Sequence, residues 1–276
     1  MDTEHEVYIC KPKGIFRKKG IDPIVGDFVD IDIIDKILKE GTIIDISNRK
    51  NKLIRPKVAN IDQSILVFSI TDPPINLDLL DRLIILSEEQ HLNIIIVLNK
   101  CDKYINSEIV DLYQNIGYKI IETSTYTNEG IDILKNMLLS KISVFCGQSG
   151  VGKSSLINAI IGRNVMETGE ISEKGKRGKH TTTSSKLIKF ENENSYIVDS
   201  PGFSNLNINI DKSNLENYFI EFVEFLNGCK FSNCEHIDES VENCNIKKNV
   251  NIKISKERYE RYTKIYKELK NMRNNR

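Results

Sequence analysis

The chain has 276 residues, with 39 Lys and Arg against 39 Asp and Glu, so its formal net charge is zero and a globally basic protein is excluded. Hydrophobic residues make up 39% of the sequence, which is typical of a soluble protein with a buried core. No apolar run approaches the roughly 18–20 residues that span a bilayer, and no secretory signal is visible, so we expect a cytoplasmic protein without a membrane partner.

Three patterns of secondary structure follow one another along the chain. Residues 1–66 contain short β-like runs between turns rich in Gly and Pro, which predicts a small β-barrel. In residues 67–206, apolar strands alternate with amphipathic helices, which predicts a parallel sheet covered by helices on both faces. Residues 207–276 are polar and helical in pattern and contain a cysteine cluster. We therefore predict an α/β multidomain protein with three domains, divided after residues 66 and 206.

One segment of the second domain fits the phosphate-loop pattern G-x-x-x-x-G-K-[ST]. The apolar run ISVFC precedes it and SSLINAIIG follows it, so the pattern lies between a predicted strand and a predicted helix, as the motif requires. Lys153 would reach the β- and γ-phosphates, and Ser154 would bind Mg²⁺. The predicted nucleotide-binding residues of this loop are Gly147, Gln148, Ser149, Gly150, Val151, Gly152, Lys153, Ser154 and Ser155.

A second motif, NKCD at residues 99–102, follows the apolar run IIIVL. The carboxylate of Asp102 can accept hydrogen bonds from guanine N1–H and N2–H₂, whereas adenine has neither donor in that arrangement, so the motif predicts selection of GTP over ATP. Asn99 would brace the site, and the stem of Lys100 would stack on the base. Thr123 and Ser124, which follow another predicted strand, are candidates for a second base contact through backbone N–H groups. The four letters alone also fit an ordinary turn at the end of a strand.

The remaining candidates for the nucleotide site lie after the phosphate loop. Asp199 and Gly202 fit D-x-x-G, in which the carboxylate holds Mg²⁺ and the glycine N–H senses the γ-phosphate. Any one of residues 181–183, all threonines, would close on Mg²⁺ and the γ-phosphate, and we favour Thr182. Phe203 stands where Ras-like enzymes have the glutamine that orients water, so a catalytic group must come from elsewhere. His180 is the candidate, although a solvated loop histidine explains it equally well.

The C-terminal cysteine cluster has the spacing C-x4-C-x-H-x7-C. Three thiolates and one imidazole suit a tetrahedral Zn²⁺ with no open position, which predicts one structural zinc. Unmetallated thiols are the alternative. The predicted ligands are Cys229, Cys234, His236 and Cys244.

Two runs in the predicted barrel are rich in Lys and Arg and contain no acid: KPKGIFRKK at residues 11–19 and RKNKLIRPK at residues 49–57. Loops of this kind bind RNA through phosphate contacts and stacking, although a solvated charged face would look the same. In the tail, Tyr259, Tyr262 and Tyr266 form a stripe at helical spacing with Leu269, which indicates packing.

The GTPase motifs occur in the order base motif, phosphate loop, D-x-x-G, which is a circular permutation of the usual order. With VGDFV, RPKVANIDQ, LDLLDRLI and CKFSNCEH, they make the chain resemble the family of small ribosomal subunit-dependent GTPases of the RsgA type, over nearly its whole length. The resemblance implies an N-terminal OB-fold, a permuted GTPase and a C-terminal zinc domain. It also implies a late assembly factor of the small ribosomal subunit that binds rRNA, hydrolyses GTP to GDP with Mg²⁺ and is stimulated by the subunit.

Two other functions stay open on the sequence alone. A nucleotide-gated RNA-binding module, in which hydrolysis is incidental, is favoured by Phe203. An assembly GTPase for the large subunit, from the same permuted group, is disfavoured by the barrel at one end and the zinc cluster at the other. No feature indicates an obligate dimer, and we expect a monomer.

Overall fold

The computed structural model describes residues 1–3, 6–18, 20–53, 57–104, 108–165, 186–191, 194–199, 208 and 210–274. In the N-terminal region, strand β1 pairs in parallel with β3, and β3 pairs antiparallel with β2. The region thus contains a three-stranded sheet, whereas closure into a barrel stays a prediction. The elements are β1 (Ile9–Pro12), α1 (Gly14–Lys18), β2 (Val29–Asp35), β3 (Glu40–Ile46), β4 (Lys52–Leu53) and β5 (Val58–Ala59).

The central six-stranded sheet has the order β10-β11-β9-β6-β7-β8. All neighbouring strands are parallel except β10, which runs antiparallel to β11 at the edge. The predicted parallel sheet is thereby confirmed, and the domain boundary expected after residue 66 falls inside its first strand. The strands are β6 (Gln63–Phe68), β7 (Asn93–Asn99), β8 (Lys119–Thr123), β9 (Ile142–Gly147), β10 (Lys186–Lys189) and β11 (Tyr196–Asp199).

Successive residues of the buried strands enter two separate cores, because side chains of a strand point alternately to opposite faces. In β6, Ile65 and Val67 belong to one core, and Leu66 and Phe68 belong to the other. Helices α2 and α3 cover the second of these faces, and α4 and α5 cover the first. The helices are α2 (Leu77–Glu89), α3 (Glu108–Ile116), α4 (Ile131–Leu138) and α5 (Lys153–Ile161).

The C-terminal region has its own aromatic core. Rings of Phe219 and Phe222 lie 5.2 and 5.0 Å from the ring of Tyr262, and Tyr266 and Leu269 are buried beside them. The predicted packing role of the tyrosine stripe is thus confirmed. The helical segments are two 3₁₀ helices (Lys212–Tyr218 and Ile220–Gly228), α6 (Asn245–Asn249) and α7 (Lys256–Asn274). In the described ranges, no helix combines the length and the apolar composition that crossing a bilayer requires.

A buried ion-pair network joins the C-terminal region to α2 of the central sheet. Arg258 on α7 is almost fully buried and donates to Asp81 on α2 and, through Nε at 2.7 Å, to Glu221. The Arg261 guanidinium also donates to Asp81, and Tyr113 Oη donates to the same carboxylate at 2.5 Å. Two cations and a hydroxyl therefore satisfy a carboxylate that would be costly to bury alone.

Candidate nucleotide site and metal centre

The base motif and the phosphate loop lie at one edge of the sheet, although 44 residues lie between Asp102 and Gly147 in the sequence. The register pairs Asn99 at the end of β7 with Thr123 at the end of β8, and pairs Val67 of β6 with Gly147 at the end of β9. In open α/β sheets, ligands bind outside the carboxyl ends of parallel strands. The permuted order therefore leaves the parts of the predicted site as neighbours.

Asn99 makes a direct connection between the two motifs. Its buried side chain donates from Nδ2 to the carbonyl of Val151 at 2.8 Å and accepts at Oδ1 from the Thr123 hydroxyl at 3.1 Å. A Cβ atom on Gly152 would lie 2.7 Å from that Nδ2, so the close approach requires glycine. The amide thus fixes the phosphate loop against β7.

The phosphate loop leads into the N-terminus of α5, where unpaired backbone N–H groups attract anions. Gly147 has φ +141°, and a Cβ atom there would lie 1.9 Å from the carbonyl oxygen of Val67, so only glycine fits this turn. The ammonium of Lys153 donates to the carbonyls of Gly147 at 2.9 Å and Gln148 at 2.6 Å. Burial lowers the pKa of Lys153, because the charged form loses hydration there. Ser154 and Ser155 are half-buried in the first turn of the helix.

The base motif continues into a short 3₁₀ helix, Cys101–Lys103, where Asp102 is held by Ser124. Ser124 Oγ donates to Asp102 Oδ1 at 2.6 Å and accepts from the N–H groups of Tyr126 and Thr127. The N–H of Ser124 itself donates to the carbonyl of Glu129 at 3.0 Å. In this structure the Ser124 hydroxyl thus faces Asp102 and its N–H is used within the loop, and a base contact from Thr123 or Ser124 stays a prediction.

A segment that sequence reasoning missed, residues 69–76, lies against both motifs. Lys100 Nζ donates to the carbonyl of Asp72 at 2.7 Å and to that of Gly150 at 3.0 Å. The side chain of Gln148 donates to the Pro74 carbonyl at 3.1 Å and accepts from the Asn76 N–H at 3.2 Å. The only local sign of this role is the TDPP turn directly after β6.

Two titratable groups in or beside the base motif, Asp72 and Cys101, have pKa values that differ from their ordinary values. A hydrogen bond and an ion pair with Lys103, at 2.8 Å, lower the pKa of Asp72, and the charge of Lys100 adds to this effect. Burial, and next the negative charge of Glu129, raise the pKa of the Cys101 thiol to about 11. Asp72 is thus a carboxylate at neutral pH, and Cys101 is a neutral thiol.

Several predicted site residues lie outside the described residues: His180, the threonines at 181–183 with the favoured Thr182, Gly202 and Phe203. Asp199 is described in its backbone alone. It is the last residue of β11, which pairs with the strand that leads into the phosphate loop. Its position is therefore at the same edge of the sheet as Ser154.

The four predicted zinc ligands converge on one point. Their donor atoms all lie within 4.8 Å of one another, and all four residues are buried or half-buried. His236 Nδ1 lies 3.6, 3.3 and 3.4 Å from the Sγ atoms of Cys229, Cys234 and Cys244. Zn–S bonds of about 2.3 Å and a Zn–N bond of about 2.0 Å at a tetrahedral angle give an S···N edge of about 3.5 Å. The donor set and its spacing thus fit Zn²⁺.

Further groups around this cluster orient the donor atoms. Glu216 Oε2 lies 2.8 Å from His236 Nε2, so the ring presents its Nδ1 to the thiols. The N–H of Asn245 donates to Cys229 Sγ at 3.3 Å, and the N–H of Lys247 donates to Cys244 Sγ at 3.5 Å. Both bonds hold the sulfur atoms in place, and the thiolate is the form that binds metal. No local pattern points to Glu216, which lies 20 residues before His236 in the sequence.

The two basic runs differ in whether their Lys and Arg side chains are exposed or already paired with carboxylates. Lys11, Lys13 and Lys18 are exposed in the first run. In the second run, Arg49 donates to both oxygens of Asp27, at 2.7 and 2.8 Å, so it is less available for phosphate than the sequence analysis assumed. Lys50 pairs with Asp62 at 3.2 Å on the surface.

Comparison with known proteins matches two family models. The RsgA GTPase model matches residues 46–209, and the RsgA N-terminal domain model matches residues 1–43. The chain is 43% identical to the small ribosomal subunit biogenesis GTPase RsgA of Alkaliphilus metalliredigens, over 99% of this chain and 94% of that protein. It is 42% identical to the protein of the same name from Caldanaerobacter subterraneus, over 97% of this chain and 90% of that protein.

Two solved structures are also similar to the whole chain. The crystal structure of YjeQ from Thermotoga maritima has a TM-score of 0.79 and 38% identity, and covers 96% of this chain and 90% of its own. The structure of YloQ, described as a circularly permuted GTPase, has a TM-score of 0.77 and 31% identity, and covers 97% of this chain and 88% of its own. A protein described as a circularly permuted GTPase thus shares this fold over nearly the whole chain.

Proposed function

The chain belongs to the RsgA GTPase family, and we propose that it hydrolyses GTP as a late-stage maturation factor of the small ribosomal subunit, which stimulates the reaction. The observation that carries the enzymatic part is the bond from Asn99 to Val151, since it joins a guanine-reading motif to a phosphate loop in one site. The relatives' printed name, small ribosomal subunit biogenesis GTPase, supports the ribosomal part. A factor of this kind acts in the cytoplasm.

Guanine is read by Asp102, whose carboxylate accepts from the N1–H and N2–H₂ groups of the base. The Ser124 hydroxyl fixes the orientation of that carboxylate, and the ammonium of Lys100, held by Asp72 and Gly150, sets its stem where it stacks on the base. The Thr125 N–H follows the Ser124 turn and is the donor we assign to guanine O6. ATP is rejected because adenine would give the carboxylate neither of the two donors that guanine supplies.

The phosphates lie along the loop of residues 147–155, where Lys153 exchanges its two carbonyl partners for β- and γ-phosphate oxygens. Hydroxyl and carboxylate oxygens are the ligands that Mg²⁺ prefers, and Ser154, Thr182 and Asp199 fit that chemistry. When bound, Mg²⁺ supplies positive charge to the phosphate oxygens. Gly202 senses the γ-phosphate through its N–H.

In the reaction, water attacks the γ-phosphorus, the bond to the β-phosphate oxygen breaks, and GDP and phosphate leave. Lys153 stabilises the charge that builds on the phosphate oxygens in the transition state. Phe203 has no group that can orient water, and we assign that role to His180. Contact with the ribosomal subunit brings His180 and the threonines into place, which explains stimulation.

The terminal regions bind the ribosome in this proposal. We divide the chain into an N-terminal OB-fold at residues 1–62, a permuted GTPase at 63–206 and a helical zinc domain at 207–276, with the first boundary set before β6. One structural Zn²⁺ held by the Cys₃His cluster stabilises the last domain. Exposed Lys11, Lys13 and Lys18 contact rRNA phosphates, and the protein acts as a monomer.

The test is steady-state phosphate release from GTP and from ATP, with and without purified small ribosomal subunits. We expect a large, GTP-specific stimulation for the natural chain, and loss of GTP preference in Asp102→Asn, whose amide no longer matches both guanine donors. Asp132→Asn, an exposed change on α4, serves as the matched control. If GTP still binds but its rate of hydrolysis does not change when small subunits are added, the proposed role in subunit maturation would be overturned, and the GTPase assignment would stand.

A second function, the nucleotide-gated RNA-binding module, is favoured by Phe203. A His180→Ala variant that keeps GTP affinity separates the two functions. Loss of both hydrolysis and subunit maturation supports the enzyme, whereas maturation without hydrolysis supports the module.

A further inference from the structure

The hairpin of β2 and β3, residues 29–46, presents aliphatic side chains to solvent at its tip. Ile34, Ile37 and Leu38 are 71%, 91% and 67% exposed. The backbone of Ile9 on β1 reaches the turn, since its N–H donates to the Lys39 carbonyl at 2.8 Å, and Ile9 is 72% exposed. Soluble proteins rarely leave several large aliphatic side chains together in water unless the surface binds something.

A β-bulge adds one of these side chains to the exposed tip. Ile33 pairs with Gly41 and Asp35 pairs with Glu40, which leaves Ile34 as an extra residue on β2. A bulge of this kind changes the direction of a side chain and interrupts the ladder. The bulge therefore contributes to the exposure of Ile34.

The same hairpin is acidic. Asp30, Asp32, Glu40 and Asp45 are exposed, and Asp30 lies directly opposite Asp45 across the two strands. Like charges in that position destabilise a hairpin. In the part of the chain that the structure describes, none of the four carboxylates has an ion-pair partner. The hairpin also contains two lysines, of which Lys36 is exposed at the tip and Lys39 pairs with Glu6, so acids outnumber bases within it.

These features discriminate between possible occupants of the tip. Acidic residues on an edge strand protect it from aggregation. Exposed aliphatic side chains promote aggregation instead, so protection alone does not explain them. RNA is disfavoured, because carboxylates repel phosphates. A second copy through the same tip is disfavoured by the like charges. An apolar centre with a charged rim fits a protein partner of opposite charge.

We propose that the tip of the β2–β3 hairpin docks on a basic protein of the small ribosomal subunit, with Ile34, Ile37 and Leu38 at the centre and the carboxylates at the rim. Proteins embedded in rRNA are basic because they neutralise phosphates, so they have the complementary charge. This proposal rests on the proposed function for the subunit that carries the partner. It adds a protein contact to a domain for which the sequence predicted RNA contacts alone.

The test measures the affinity of the full chain for purified small ribosomal subunits, using variants that keep the fold. Ile37→Ser removes the most exposed apolar side chain, and Ile252→Ser, 73% exposed in the C-terminal region, is its control. The double variant Asp30→Asn, Asp45→Asn relieves the cross-strand repulsion and should raise the melting temperature. A loss of affinity in that variant therefore cannot come from unfolding.

We expect both Ile37→Ser and the double Asn variant to bind about 5- to 10-fold more weakly, with Ile252→Ser unchanged, because apolar anchors and rim charges both contribute to docking. Tighter binding by the double Asn variant would mean that the tip faces rRNA, and unchanged binding would mean that it faces solvent. If light scattering showed the natural chain to be a dimer and the Ile37→Ser variant to be a monomer, the tip would be a surface for self-association. Each of these three results overturns the proposal. Subunits that fail to bind the natural chain would overturn the proposed function and this partner together.

A photo-crosslinking amino acid at position 37 identifies the contact directly. Irradiation with purified small subunits should give a product that survives ribonuclease and contains a basic ribosomal protein. A product that contains only rRNA would overturn the proposal while leaving subunit-stimulated GTP hydrolysis intact.

Discussion

The side-chain amide of Asn99 donates to the carbonyl of Val151 at 2.8 Å, and so connects two motifs that occur in reversed order along the chain. A sheet brings strand ends together whatever their order in sequence, provided that the strands remain neighbours. Strands β7 and β9 both pair with β6, which places the base motif and the phosphate loop on the two sides of one strand end.

Replacing Asn99 by alanine should weaken GDP and GTP binding equally. The change leaves the Val151 carbonyl and the Thr123 hydroxyl without their partner, at a cost of about 1–3 kcal/mol, or about one to two orders of magnitude in affinity. Titration with a fluorescent GDP analogue measures the effect. Asn93→Ala, at the exposed beginning of the same strand, is the control, and equal affinities of the two variants would contradict the role of the amide link.

Nucleotide binding should take up protons through Lys153 at alkaline pH. Burial lowers the pKa of this lysine below its ordinary 10.5 in the free protein, and phosphate oxygens stabilise its charged form and raise the pKa again. Affinity for GDP should therefore fall as the pH rises through the pKa of the free protein. The unfolded chain binds more protons than the free folded protein between that pKa and 10.5, so the contribution of this group to the free energy of unfolding increases with pH in the same window.

Calorimetry of GDP binding in two buffers of different ionisation enthalpy measures the proton uptake. The variant Lys153→Arg stays charged throughout and should bind without this uptake. If the natural chain and the variant took up the same fraction of a proton, a group other than Lys153 would be responsible.

Local sequence patterns were sufficient for the parts of the site that follow strand ends. Asn99, Asp102 and Lys153 lie in short motifs whose flanks read as a strand and a turn or helix, so their place at the edge of the sheet could be predicted. The segment of residues 69–76 could not be predicted, because its contacts with Lys100 and Gln148 depend on packing between distant parts of the chain.

The same limit applies to groups that act through long-range pairs. The four predicted zinc ligands occur within sixteen residues and have a recognisable spacing, whereas Arg258 meets Asp81 from 177 positions away. The exposed β2–β3 tip was also missed, since alternation of apolar residues predicts strands but not a bulge. In the N-terminal region, the partner of Arg49 turned out to be Asp27, which a count of charges does not reveal.

Replacing Glu216 by glutamine should loosen the metal without removing a ligand. The carboxylate beside His236 Nε2 orients the ring and raises its basicity, and loss of such a partner costs about 10- to 100-fold in metal affinity. Competition with a chromophoric chelator measures zinc affinity, and we expect one zinc per natural chain. Cys244→Ser should lose the metal, while Cys10→Ser, far along the chain from the cluster, should keep it. Zinc content that is indifferent to both Glu216→Gln and Cys244→Ser would rule out this centre.

Arg258→Ala should destabilise the protein more than any surface substitution on the same helix. The change leaves Asp81 and Glu221 buried with fewer cations, and breaking a buried ion pair in this way costs about 3–5 kcal/mol.

Lys256→Ala is the control, because Lys256 is exposed and lies 3.9 Å from Glu260, a surface pair worth about 0–1 kcal/mol. Urea unfolding followed by tyrosine fluorescence measures both. Because Asp81 belongs to α2 and Arg258 to α7, we also expect the loss to separate the unfolding of the C-terminal region from that of the central sheet. The variant should then show two transitions, and the natural chain should show one. Equal midpoints for the two variants would show that the aromatic core around Tyr262, and not the ion pairs, holds the C-terminal region in place.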